Sequence, residues 1–286
     1  MNESRREFLK KVGYAAAGAG CTFPLLAAAG SALTEDEHAV ASGSGGTQWC
    51  MVVDIQKCMS PEVRDACSQA CHEAHNVPEI PVAEHEVKWI WTEQYQNAFP
   101  DQSSRRTEHY AHAHATDPLN AKPVLVLCNH CTEPPCTKVC PTIATWRREE
   151  DGIVMMDMHR CIGCRYCVAA CPYGARSFNW SDPREHAPLN EGKITPGFPT
   201  RSKGVVEKCN FCAERLRDDG TPACVEAANK VPGGDGALTF GNLADPSSDV
   251  CRLLAKEHTI VRKPSLGTSP NVFYILPKEI EDTSGA

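Results

Sequence analysis

The apolar positions of this chain fall in short runs broken by cysteine, glycine and proline. That pattern predicts brief strands and tight turns around clustered cysteines. Trp49 to Ile55 reads as a strand entering the first cysteines, and Lys122 to Leu127 as a second strand. Asp151-Gly152 is a hairpin turn signal that introduces a strand over Ile153 to Met156. Cys164 to Ala170 has helix-compatible spacing, and Ala175 to Trp180 reads as the strand that returns from it. Residues 76–122 carry no cysteine and are polar, and they are expected to be an insertion with a helix-like patch around Trp89 to Tyr95. Residues 181–203 read as a Pro/Gly-rich loop, and Phe211 to Arg217 as a helical excursion closed by Asp219-Gly220. The tail predicts a helix near Asp249 to Glu257, and strands near Ile260 and over Val272 to Leu276.

Cysteine content changes this picture. The 286 residues include 17 cysteines, well above the usage of an ordinary globular chain. The formal net charge is −7, so a basic nucleic-acid footprint is absent. An acidic surface suits docking on basic patches of a partner.

Cys161-x2-Cys164-x2-Cys167-x3-Cys171-Pro172 has the spacing of a bacterial ferredoxin run. Three close cysteines wrap one iron–sulfur cubane, and the fourth points at a different one. Cys128-x2-Cys131-x4-Cys136-x3-Cys140-Pro141 is the same device with a longer second gap. Exchange of the fourth ligands predicts one cluster on Cys128, Cys131, Cys136 and Cys171, and another on Cys161, Cys164, Cys167 and Cys140. Zinc sites usually read as separated CxxC pairs, and cysteines two apart pair poorly as disulfides. Neither fits two runs that each end in Cys-Pro.

Two further groups are incomplete. Cys209-x2-Cys212-x11-Cys224 has Ala228 where a fourth cysteine would stand. Cys58, Cys67 and Cys71 form the other group, with Arg64 in the missing position. Under the same exchange rule, Cys209, Cys212, Cys224 and Cys71 make a complete set. Both departures then fall on one site, made of Cys58, position 64, Cys67 and position 228. The expectation is three [4Fe–4S] clusters and one vacated site. In an oxidising compartment the leftover thiols are candidates for a disulfide, Cys58–Cys67 or Cys50–Cys67. The alternative is that Cys50 replaces one lost ligand and a non-cysteine group completes the set, with Cys251 a poorer candidate.

The N-terminal Ser4-Arg5-Arg6-Glu7-Phe8-Leu9-Lys10 resembles a twin-arginine export signal. A stretch rich in Ala and Gly follows, from Val12 to Ala29, with cleavage expected near Ala27–Ala29 or Gly30–Ala32. The resemblance implies export of a folded, cluster-loaded protein to the periplasm. No later segment approaches the ~18 apolar residues of a membrane span. The expected organisation is a signal peptide over 1–32, a flexible lead over 33–48, and a first part of an outer ferredoxin-like unit over 49–121. A central ferredoxin-like unit over 122–181 follows, and then the rest of the outer unit with a C-terminal extension over 182–286. The fold class is α+β, a tandem of bacterial ferredoxin-like units with loop insertions.

The four cysteine groups resemble the four-cluster ferredoxin-like subunits of membrane-associated oxidoreductases. Ala70-Cys71-His72-Glu73-Ala74-His75-Asn76-Val77-Pro78, Val87-Lys88-Trp89-Ile90-Trp91, Cys161 to Trp180 and Lys208 to Glu226 are similar to the DsrO-type subunits of DsrMKJOP complexes. That resemblance implies electron transfer in dissimilatory sulfur metabolism, with an NrfD-type quinone-interacting membrane subunit, a multihaem c-type cytochrome and further membrane and cytoplasmic redox subunits of a DsrMKJOP-like complex as partners. The rival reading is the iron–sulfur subunit of a molybdopterin oxidoreductase of polysulfide, tetrathionate or dimethyl sulfoxide reductase type, which shares the cysteine framework. A haem reading fails on spacing, because Cys67-Ser-Gln-Ala-Cys71-His72 has one residue more than CxxCH. No nucleophile–base constellation stands out. His109, His112 and His114 read as part of a solvated loop. His72 and His75 read as hydrogen-bond donors near a cluster or as buried structural residues. Trp146, Trp180, Tyr166 and Tyr173 read as core residues near cluster sulfur.

Overall fold

A computed structural model describes residues 46–101 and 119–278. The signal-like N-terminus and His109, His112 and His114 lie outside the described residues. The described strands are β1 (Trp49–Asp54), β2 (Ile90–Gln94), β3 (Pro123–Leu127), β4 (Thr145–Arg147) and β5 (Val154–Met156). Further along come β6 (Ser177–Phe178), β7 (Val206–Glu207), β8 (Leu238–Asn242), β9 (Thr259–Ile260) and β10 (Val272–Ile275). The longer helices are α1 (Pro61–Ala74), α2 (Ala223–Lys230) and α3 (Asp249–Lys256). The fold is α+β, with one four-stranded sheet and three two-stranded ribbons.

The main sheet runs β8-β1-β10-β9 and joins the two ends of the described chain. β1 pairs antiparallel with β8 and parallel with β10. Such a central strand is covered on both faces, which explains its almost unbroken apolar run. Alternation sends Met51 and Val53 into the principal core, and Cys50 and Val52 to the opposite face against Val250 of α3. Helix α3 is capped by Ser248, whose hydroxyl accepts from the Cys251 amide at 3.3 Å.

Helix α1 starts with Pro61 in its first turn and buries Val63, Cys67 and Cys71. Their four-residue spacing places them on one stripe. That stripe packs on α2, which buries Ala223, Cys224, Val225 and Ala228. The small residues of α2 allow a close approach between the two helices.

One expectation fails here. The patch over Trp89 to Tyr95 is mainly the strand β2, with helix only from Tyr95 to Ala98. β2 pairs antiparallel with β3, from Ile90 opposite Leu127 to Gln94 opposite Pro123. Trp, Ile and Thr favour strands, and β3 supplies the ladder hydrogen bonds. The stretch is also no polar appendage. Val77, Val87, Trp89, Ile90, Trp91, Tyr95, Ala98 and Phe99 are all buried in the principal core.

β4 and β5 form the hairpin marked by Asp151-Gly152, with Gly152 at φ +75°. β6 pairs with β7 across the loop that connects them. No helix among the described residues is long and apolar enough to cross a membrane.

Candidate metal centres

All the described cysteines are unpaired. They fall into sets that differ in what their sulfurs touch. Cys128, Cys131, Cys136 and Cys171 line a single cavity together with Tyr173 and Arg176. Burial pushes the Cys131 thiol up to about 12, and the neighbouring Cys128 adds to the rise. Burial also raises Cys171, again with Cys128 beside it. Arg176 Nη2 donates to Cys136 Sγ at 3.1 Å.

The short helices Pro135–Lys138 and Tyr166–Ala170 pack on each other. That packing turns the end of each cysteine run toward the other. Cys167 is raised by burial, with the Arg176 guanidinium opposing the rise and the Cys136 and Cys161 sulfurs beside it adding to it. The Val206 amide donates to Cys161 Sγ at 3.5 Å. Cys140 differs: its modest burial acts upward, but hydrogen bonds from Thr145, Thr142 and Ala144 together hold it below the usual thiol range.

Cys71 from α1 faces Cys224 from α2, with Cys209 and Cys212 beside them. Burial lifts the Cys71 thiol well above its usual value, and Cys209, Cys224 and Cys212 lift it further. Backbone amides serve these sulfurs too. Phe211 N donates to Cys209 Sγ and Ala223 N to Cys212 Sγ, each at 3.4 Å.

The CxxC loops share a backbone device. The residue just before the second cysteine has positive φ in three of them, His130, Gly163 and Phe211; in Cys164–Cys167 it is Arg165 instead. A non-glycine residue there is uncommon and marks a constrained turn. His130 and Phe211 stack on each other with centroids 3.7 Å apart. At Gly163 a Cβ would lie 2.2 Å from the Gly204 carbonyl oxygen, so a side chain does not fit.

Cys58 and Cys67 sit in different chemistry. Their thiols donate to carbonyl oxygens, Cys58 to Ala237 at 3.6 Å and Cys67 to Cys224 at 3.4 Å. Burial raises both, Cys67 to about 12. Arg64 Nη1 donates to the Cys58 carbonyl at 2.9 Å and the Met59 carbonyl at 2.5 Å. Ala228 is fully buried, and its carbonyl oxygen would stand 2.3 Å from a Cβ on Gly234. Protein atoms crowd this position.

The sheet separates Cys50 from Cys67. Cys50 lies on the other face of β1, where burial raises it to about 12 and the Cys251 sulfur nearby adds to the rise. Neither a Cys50–Cys67 bond nor a ligand role for Cys50 beside Cys58 suits that placement, because one strand position reverses the face.

His75 is buried, with Nδ1 2.8 Å from the Cys71 carbonyl and Nε2 2.8 Å from Glu214. Its ring stacks on Trp89 at 4.3 Å. Ligating atoms of His75, Cys212 and Glu214 lie within 4.8 Å of one another, but this group is the wall of the Cys71 set. The aromatic expectations need correction. Tyr173 is buried, whereas Tyr166 is 62% and Trp180 41% exposed. Trp180 is covered by the Arg165 guanidinium at 4.8 Å. Arg176, Lys208 and the buried pair of Arg201 with Glu207 carry no motif that marks them in the sequence. Arg176 and Lys208 fall within stretches that carry the family resemblance, and Lys208 also adjoins Cys209.

The thiol sets fit iron–sulfur groups by their donor chemistry. A buried thiol raised in pKa deprotonates only with a compensating cation, and these sulfurs already accept from amides and a guanidinium. Comparison with known proteins agrees. Residues 123–187 match the 4Fe-4S dicluster domain family. The chain is 38% identical to Hdr-like menaquinol oxidoreductase iron-sulfur subunit 1 of Archaeoglobus fulgidus, over 95% of this chain and 97% of that protein. The chain belongs to the 4Fe–4S iron–sulfur subunits of oxidoreductase complexes. Within this family it is also 34% identical to the menaquinone reductase iron-sulfur cluster-binding subunit of Nitratidesulfovibrio vulgaris, over 81% of this chain and 90% of that protein. A tetrathionate reductase subunit of Salmonella typhimurium is 32% identical, over 96% of this chain and 89% of that protein.

Proposed function

We propose that this chain relays single electrons through three [4Fe–4S] clusters arranged on a tandem of ferredoxin-like units. The ligand sets are Cys128, Cys131, Cys136 and Cys171; Cys161, Cys164, Cys167 and Cys140; and Cys209, Cys212, Cys224 and Cys71. When bound, each cluster supplies a carrier for one electron. The protein holds the sulfurs, excludes water from them and directs N–H groups at them. The observation that carries the reading is the chaining of the sets. Cys136 lies close enough to Cys167, and Cys128 to Cys209, for the first thiol of each pair to raise the second electrostatically, so each set adjoins the next.

The Cys58 position holds no cluster in this reading. Its thiols donate to carbonyls, whereas Cys136, Cys161, Cys209 and Cys212 of the other sets accept from N–H groups. Arg64 and Ala228 stand at the two lost ligand positions. Iron analysis of the anaerobically purified chain is expected to give about twelve irons, as three cubanes require. About sixteen would show the fourth site filled and defeat this count.

The physiological setting we infer is a membrane-bound complex of dissimilatory sulfur metabolism. The chain passes electrons between an NrfD-type quinone-interacting membrane subunit and a multihaem c-type cytochrome, in the manner of DsrO-type subunits. Support comes from the sequence stretches around Trp89 and Cys161 and from the menaquinol-linked relative. A molybdopterin reductase setting is the second reading, favoured by the near-full-length likeness to a tetrathionate reductase subunit. Purification of the native complex separates them: c-type haem supports the first, and molybdenum the second. Export by the twin-arginine route belongs to the same proposal. Replacing Arg5 and Arg6 with Lys is expected to strand the chain in the cytoplasm, as read by cell fractionation. Unchanged periplasmic recovery would contradict it.

A further inference from the structure

Three buried cations lack a carboxylate partner among the described residues: Arg262, which donates to the Ala98 carbonyl and lies over the Tyr173 ring, and two that stand among the cysteine sets, Arg176 and Lys208. Arg176 is 4% exposed and Lys208 1%. Besides Cys136, Arg176 Nη2 donates to Thr145 Oγ1 at 2.7 Å, and Nη1 lies 3.7 Å from Met156 Sδ. The same guanidinium neighbours Cys167 and Cys128. It therefore stands where the Cys128 set meets the Cys161 set. Lys208 stands at the next junction. Its Nζ donates to the Cys209 carbonyl at 2.6 Å and to the Val154 carbonyl. Cys209 belongs to the Cys71 set, and Val154 lines the cavity of the Cys128 set.

Neither cation is paired with a carboxylate among the described residues; their partners are carbonyls, a hydroxyl, a thioether and a thiol. The contrast is Arg201, equally buried but matched to Glu207 at 2.5 Å. An unmatched charge is strongly disfavoured in a low-dielectric interior. The missing anions are supplied if thiolate-ligated clusters flank each cation, since such clusters carry net negative charge.

We propose that Arg176 and Lys208 are the fixed counter-charges of the relay, one at each junction between neighbouring cluster sites. This rests on the relay reading. Each cation favours the electron-rich state of the two sites it touches. An electron leaving one site for its neighbour stays within the field of the same cation, so the transfer meets less charge repulsion. No bond forms or breaks and no proton moves. A cation beside a site raises its reduction potential, and the effect fades with distance. Removal of one cation must then lower two potentials and spare the third.

The test is an EPR-monitored redox titration of the full, iron-loaded chain in its native complex. Iron content and signals of the unmodified protein test the relay reading separately; absence of clusters there would defeat that reading first. With Arg176→Gln, the two sites flanking position 176 are expected to lose about tenfold in their reduction equilibrium, about 59 mV for one electron. The Cys71 site should hold its potential. Arg176→Lys should recover most of the loss, because the charge is kept. Lys208→Gln should lower the Cys71 and Cys128 sites and spare the Cys161 site. The Cys128 site moves in both cases, which identifies it as the shared middle member. Unchanged potentials in iron-replete variants would overturn the proposal, and so would equal movement of all three sites in either variant. Iron loss in Arg176→Gln and Arg176→Lys alike would assign Arg176 to packing and overturn its role as a counter-charge.

Discussion

Replacing Cys171 by alanine is expected to remove the cluster on Cys128, Cys131 and Cys136, and to spare the one around Cys171's own sequence neighbours. The four cysteines line one cavity. Cys171 is raised by burial and by Cys128, a member of that set. The packed short helices carry the end of each run across to the other. Iron should fall from about twelve to about eight per chain, with one EPR signal lost. Loss of the Cys161–Cys164–Cys167 signal instead, or full iron retention, would refute the exchange. Cys140→Ala is the mirror experiment and should spare the Cys128 site.

The second large effect concerns stability. Glu207 is fully buried and joined to three other segments. It accepts from Trp89 Nε1 at 2.8 Å and Asn179 Nδ2 at 2.5 Å, and pairs with Arg201. Arg201 in turn donates to the His75 carbonyl, tying the end of α1 to the loop before β7. Glu207→Ala leaves a guanidinium buried without its partner, which costs about 3–5 kcal/mol. Denaturant unfolding of the iron-loaded chain should show that loss. Replacing both partners, Arg201→Met with Glu207→Leu, should recover a large part of it, because a neutral pair of similar volume removes the stranded charge. A loss below about 1 kcal/mol for Glu207→Ala would mean that water or another acceptor replaces the carboxylate.

Much of the scaffold is legible in the order of residues. The β1, β3, β5 and β10 strands and helix α3 lie where apolar runs and turn residues place them. The Asp151-Gly152 hairpin is there because glycine takes a positive φ at little cost. β2 departs from the expected helix because its aromatic and aliphatic run is too short for periodicity to separate helix from strand. Pairing with β3 makes it a strand. The exposure of Tyr166 and Trp180 has a related cause. Residue type says how much a side chain gains from burial, but not whether a neighbour is present to bury it.

Chain connectivity alone assigns the cysteines to their loops, because residues two and three apart are held together whatever surrounds them. The order of residues likewise marks the two ligand positions where cysteine is absent, Arg64 and Ala228. Packing between distant segments settles the rest. It turns Cys50 to the far face of β1, stacks His130 on Phe211, and joins Glu207 to Trp89, Asn179 and Arg201. It also sets Arg176 and Lys208 between the cysteine sets. A buried charge is located by what surrounds it in three dimensions, and no local spacing encodes those neighbours.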